Sequence, residues 1–233
     1  MKRHLVVSLL AFACGHAGAV TLLLADYQFA NNLDSSVGTP PALTTVGSGT
    51  AFATETVFGK TQTVLTFTAG SGLSLGQTNN ILPGSGVYTI ALQARIHNMS
   101  PDNYSKLIDF SNGASDKGLY TYLGILDFYS YSGGSATPVI KLAYGDIVLT
   151  RDGSNMLAGY YNGSRQFSLD DSTNSWGVIS VANTLRFFLD DSVGTGLEAS
   201  PGAVARIRIW NTALSAAEVA QLTDPIFVDG FDG

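Results

Sequence analysis

The sequence predicts an all-β sandwich or barrel closed by one short C-terminal helix, and three observations carry that reading. Short runs of alternating apolar and polar residues recur along the chain, each ended by a Gly-, Ser- or Asn-rich turn. Glycine is abundant, at 26 of 233 residues, which suits many tight turns. One helix signal stands out: Ser215 is followed three residues later by Glu218, so each side chain can satisfy a backbone donor at a helix start, with Leu214 and Val219 placed as a hydrophobic staple.

Taken in order, the chain opens with Lys2 and Arg3, an apolar run from Leu5 to Ala13, and small residues at Ala17 and Ala19. This is the pattern of a secretory signal peptide over 1–19, cleaved before Val20, and it predicts a secreted protein. Cys14, His4 and His16 would leave with the signal. Residues 20–223 then form one domain without disulfides or a His-based zinc site, since His97 alone remains, and 224–233 form a short tail. No later apolar run is long enough to span a bilayer. Without Lys2 and Arg3 the balance is ten Lys and Arg against eighteen Asp and Glu, about −8, which excludes nucleic acid as a partner.

Strands are expected at Ala25–Ala30, Val64–Thr68, Val87–His97, Leu107–Phe110, Leu119–Tyr131, Val139–Ala143, Ile147–Arg151, Met156–Tyr161 and Leu185–Leu189. Leu119–Tyr131 read as one strand places Tyr120, Tyr122, Leu126 and Phe128 on one face and Leu123, Ile125, Tyr129 and Tyr131 on the other. In the last strand, alternation puts Ala203, Ala205, Ile207 and Ile209 inward, with Val204, Arg206, Arg208 and Trp210 opposite. The helix begins at Ser215. Asn98, Asn103 and Asn162 head N-glycosylation triplets, which arise readily by chance in a Ser-rich chain.

The stretch GAVARIRIWNTALSAAEVAQL, Gly202 to Leu222, resembles the closing strand and helical turn of LamG-like domains in the concanavalin A-like lectin/glucanase superfamily. The opening ADYQFANNLDSS is similar to that family's first strand and loop, with Tyr27, Phe29, Leu33, Asp34 and Ser35 in place, and YTIALQARI resembles a central strand. The similarity spans Ala25 to Leu222 and extends to the branch found in exported bacterial proteins with Pro-Glu-Pro sorting tails, although the ending DPIFVDGFDG carries no such tail. It implies a two-sheet antiparallel jelly roll, and a non-catalytic module that binds a glycan or an extracellular protein. The alternatives are a structural or matrix domain with no small ligand and, further off, a glycoside hydrolase.

The hydrolases of that superfamily carry two glutamates on one E-x-D-x-x-E strand. Here Glu55, Glu198 and Glu218 are scattered, and no G-x-S-x-G elbow presents a nucleophile to His97, which reads as a polar residue at a strand rim. Calcium takes oxygen ligands from Asp-rich loops, so Asp190 and Asp191, at a strand end, are candidate ligands with Asp34 as a third. The competing reading is that Asp-Asp-Ser starts a turn and its charges are solvated. Where relatives carry an acidic pair this chain has Ala205 and Arg206. Tyr131 and Trp176, beside Gly- and Ser-rich loops, are candidate sugar-stacking rings, weighed against plain packing.

Overall fold

The computed structural model describes residues 22–82, 84, 86–97, 104–129, 143–193 and 198–222. The signal-peptide and tail assignments, Tyr131, Asn98, Asn103 and most of the Val139–Ala143 run lie outside the described residues. Among the described residues there are fourteen strands: β1 (Leu23–Tyr27), β2 (Thr44–Val46), β3 (Thr50–Val57), β4 (Lys60–Phe67), β5 (Gly72–Leu75), β6 (Tyr88–Ile96), β7 (Tyr104–Asp109), β8 (Gly118–Tyr122), β9 (Ile125–Tyr129), β10 (Gly145–Arg151), β11 (Met156–Tyr161), β12 (Ser164–Asp170), β13 (Leu185–Phe187) and β14 (Gly202–Trp210). The helix is α1 (Ala216–Leu222).

The strands form two antiparallel sheets. The larger runs β12-β11-β10-β6-β14-β4-β3, with β1 also paired to β14, and the smaller runs β2-β5-β13-β7-β8-β9. Between them lies the core: Tyr27, Leu65, Phe67, Tyr88, Ile90, Leu92, Leu149, Ile207 and Ile209 from the larger sheet meet Leu73, Leu107, Leu119, Leu126, Phe128 and Phe187 from the smaller. This is the two-sheet jelly-roll sandwich that the sequence predicts. The helix begins where Ser215 predicts, with Ser215 Oγ and backbone N both donating to Glu218 Oε2 at 2.7 Å. Leu214 and Val219 are buried beneath it.

Two expectations of facing are corrected. In β14 the register against β6 slips between Val204 and Arg206, so Ala205 is an extra residue. Val204 therefore joins Ile207 and Ile209 in the core, while Ala203 and Ala205 turn to the outer face against Val57 and Val64. The stretch 119–131 is not one strand. Leu123 (φ 49°) and Gly124 (φ 82°) make a two-residue turn that folds it into the β8–β9 hairpin, in which Tyr122 pairs with Ile125 and Tyr120 with Asp127. Tyr120 and Tyr122 thus share a face with Tyr129, and Leu126 and Phe128 point into the core. The short or polar strands β2, β3, β5 and β12 have too little apolar alternation to be predicted.

One buried ion pair ties the end of the larger sheet to the loop that carries Trp176. Arg151, itself buried, donates from Nε to Asp171 Oδ2 at 2.8 Å, from Nη1 to the Gly86 carbonyl at 2.6 Å and from Nη2 to Asn155 Oδ1 at 2.9 Å. Asp171 in turn accepts from the backbone N–H groups of Trp176 and Gly177. Removing one member strands the other's charge in the interior. Arg151→Leu is therefore expected to cost about 3–5 kcal/mol of unfolding free energy, measured by urea denaturation.

Candidate functional site

The outer face of the smaller sheet carries the polar and aromatic residues that the core excludes. In β7, β8 and β9 the inward positions are Leu107, Leu119, Leu126 and Phe128, which leaves Tyr104, Lys106, Tyr120, Tyr122, Asp127 and Tyr129 facing out. Tyr104 lies opposite Tyr122 across the β7–β8 pair, and their rings stack with centroids 4.3 Å apart. Tyr104 also meets the edges of Tyr120 and Tyr129, at 5.9 and 5.7 Å. Tyr120 is fully buried under this cluster, whereas Tyr104, Tyr122 and Tyr129 stay half-buried. The result is a tyrosine platform with exposed ring surface and a rigid base.

Toward the other end of β7 the platform gives way to an acidic corner, built by the turn after β7 and the loop after β13. One carboxylate oxygen from each of Asp116, Asp191 and Glu198 lies within 4.8 Å of the others. Tyr120 Oη donates to Asp116 Oδ1 at 3.1 Å, and the Asp116 and Glu198 carboxyl groups face each other within that distance of 4.8 Å. Burial, with the charges of Asp116 and Asp190 behind it, pushes the Glu198 carboxyl up to about 7. Asp116 is also raised, by burial first and by the charge of Asp191 next. Burial and the surrounding carboxylates push the Tyr120 phenol far above its ordinary range, which keeps it a donor.

Inside the corner lies the Lys106 ammonium, whose side chain is fully buried. It donates to Asp191 Oδ2 at 2.5 Å and to the Ser115 carbonyl at 3.1 Å, stands 3.3 Å from Asp109 Oδ2, and sits 5.1 Å from the centre of the Tyr120 ring. Asp109 Oδ1 accepts the N–H groups of Ser111 and Gly113, shaping the turn after β7. Asp190 accepts the N–H groups of Asp191 and Glu198, and so closes the loop after β13. Ser192 donates from both N and Oγ to the Gly113 carbonyl, which joins the two loops.

Of the candidates named from sequence, the structure brings Asp191 together with Asp116 and Glu198. Asp190 serves the loop backbone beside them, and Asp34 is exposed in the loop after β1, outside that group. Trp176 is half-buried against the core and lies 4.2 Å below the Lys117 ammonium, in a cavity of about 380 Å³ that Ser111, Ser115 and Val181 also line. His97 is exposed just past β6. The three glutamates stand apart: Glu55 pairs with Arg95 and Tyr144 on the larger sheet, Glu218 caps α1, and Glu198 alone is in the corner. Sequence reasoning missed Tyr104, Lys106, Asp116 and Glu198 as site residues. The signal that could have found the tyrosine face is Gly124, whose turn sets Tyr120, Tyr122 and Tyr129 on one side.

No protein-family model and no curated protein matches the chain. Solved structures do. Domain 4 of AbnA, a GH43 extracellular arabinanase from Geobacillus stearothermophilus solved in complex with arabinotriose, superposes with a TM-score of 0.66 at 19% identity, over 88% of this chain and 99% of that one. The binding domain of Paraclostridial Mosquitocidal Protein 1 gives 0.64 at 15% identity, over 88% of this chain and 52% of that one. The botulinum neurotoxin serotype G binding domain gives 0.59 at 15%, over 87% and 50%, so the chain spans about half the length of these two toxin domains. At such identities the likeness establishes a shared jelly-roll fold.

The raised Glu198 carboxyl has a defined consequence for pH. Its folded value, about 7, lies above the ordinary 4.5, so the folded chain holds more protons than the unfolded chain between those limits. The stability it contributes is fully present below about 4.5 and is lost as pH rises through about 7. Carbon-13 titration of the Glu198 carboxyl should show its midpoint near 7, and Asp116→Asn should move that midpoint down.

Proposed function

We propose that the chain is an exported, non-catalytic module of LamG-like type that binds carbohydrate on the outer face of its smaller sheet. The observation that carries this reading is the half-exposed tyrosine platform of Tyr104, Tyr122 and Tyr129 beside the Asp116–Glu198 pair. The C–H face of a sugar ring stacks on an aromatic face, while its hydroxyls need partners that both donate and accept. The Glu198 carboxyl, pushed up to about 7, and the carboxylates beside it are such partners. From Tyr104 to Asp109 the face runs along a full strand, about 17–20 Å at ordinary strand rise, which is room for a short oligosaccharide.

The same pair speaks against hydrolysis. Glycosidases hold two carboxyl groups about 5–9 Å apart across the scissile bond, whereas oxygens of Asp116 and Glu198 lie within 4.8 Å of each other in one cluster with Asp191. Secretion, implied by the first nineteen residues, would place the module among extracellular glycans.

The test is calorimetric titration with arabinotriose and a glycan array, on the protein and on Tyr104→Ala, Tyr122→Ala and Trp176→Ala. Each tyrosine variant should weaken binding tenfold or more with its circular dichroism unchanged, while Trp176→Ala should change it less than twofold. The reverse pattern would move the ligand to the Trp176 cavity. Folded protein that binds no glycan would sink the reading in favour of a structural or protein-binding domain.

A further inference from the structure

We infer that the Lys106 ammonium is the resident cation of the acidic corner, so that this corner is held together without calcium. Its surroundings are of the kind a hard cation selects: carboxylates of Asp109 and Asp191 and the backbone carbonyl of Ser115. An ion would need six to eight such oxygens at about 2.3–2.6 Å. Three of the available ones already face the ammonium. A divalent ion brought among the same oxygens would meet that positive charge within a few ångströms, where low dielectric magnifies the repulsion.

Lys106 cannot easily swing aside. Its backbone N–H donates to the Glu198 carbonyl, its residue pairs with Tyr120 across β7–β8, and its side chain is fully buried beneath that ring. Gly118, on the neighbouring strand, packs beside it: a Cβ there would touch Lys106 Cε at 3.5 Å, while the Ile108 carbonyl oxygen, at 2.3 Å, is what excludes one. The raised Glu198 carboxyl lessens the remaining negative charge. The ammonium does what a metal ion does in an acidic loop cluster, joining the turn after β7 to the loop after β13.

The inference stands apart from carbohydrate binding, because its readout needs no glycan. Thermal melts of the purified protein should coincide in millimolar calcium and in chelator, and terbium should give no emission sensitised by the corner tyrosines. Lys106→Ala should melt lower in chelator, recover in calcium, and acquire terbium emission that Asp191→Asn in the same chain removes. Lys106→Gln keeps the stem and a polar end, and gives the same readout if the alanine variant does not fold. Calcium stabilisation of the unmutated protein that disappears with Asp191→Asn would overturn the inference. So would folded Lys106 variants indifferent to both ions.

Discussion

The sandwich depends on β14 being paired along both edges while changing face once, at Ala205. Upstream of the slip it lies between β6 and β4, and downstream between β6 and β1. An unbroken alternation would put Val204 and Ile207 on opposite faces. The extra residue returns Val204, Ile207 and Ile209 to the same core, each side chain contributing about 1.5–3 kcal/mol by burial. A small residue is needed at the slip, because Ala205 shares the crowded outer patch of Val57, Val64 and Ala203. Just beyond it, Arg206 makes a two-pronged contact with Asp26 of β1, at 2.7 Å for each prong, and fixes the first strand against the last.

The two sheets then use their outer faces differently. On the larger sheet, α1 and Trp210 cover Ala91, Val148, Ala158 and Tyr160, and beside them Asp146 is buried and Arg208 half-buried. Burial raises Asp146 to about 6 and lowers Arg208 to about 10, the direction expected when ions lose water that their partners replace only in part. That part of the face is covered by the chain itself. On the smaller sheet Tyr104, Tyr122 and Tyr129 stay half-buried. A half-wet aromatic face beside a rigid polar corner is where a ligand can gain contact without first displacing part of the fold.

Much of the sandwich could be read from the chain because its core strands are strongly apolar. β6, β10 and β11 were legible in YTIALQARI, IVLTR and MLAGYY, and α1 in the Ser215–Glu218 pair. What was illegible follows from two physical causes. Edge strands such as β3, TAFATETV, bury few side chains, so they leave no periodic signal. Glycine turns are weak punctuation: Gly124, one residue, decides whether Tyr120 and Tyr129 share a face. The site was harder, because its chemistry is assembled across the fold. Lys106 is 85 residues from Asp191 in the chain and Ser105 is 95 from its partner Ser200, so Asp190 and Asp191 could be noticed as acids while their counter-charge could not.

That counter-charge also explains the character of the corner. Carboxylates crowded in a partly dry pocket need compensation, and a fold can supply it with a metal, with bound protons or with a buried cation of its own. A metal leaves when its concentration falls; a side chain does not. With Lys106 in place the loops after β7 and β13 are joined by the chain's own groups, the Lys106–Asp191 ion pair and the two hydrogen bonds from Ser192 to the Gly113 carbonyl. Tyr120 connects this corner to the platform, since its hydroxyl meets Asp116 and its ring supports Tyr104 and Tyr129. The acidic corner and the aromatic surface therefore share one side chain, whose phenol burial first and the neighbouring carboxylates next hold far above its ordinary range.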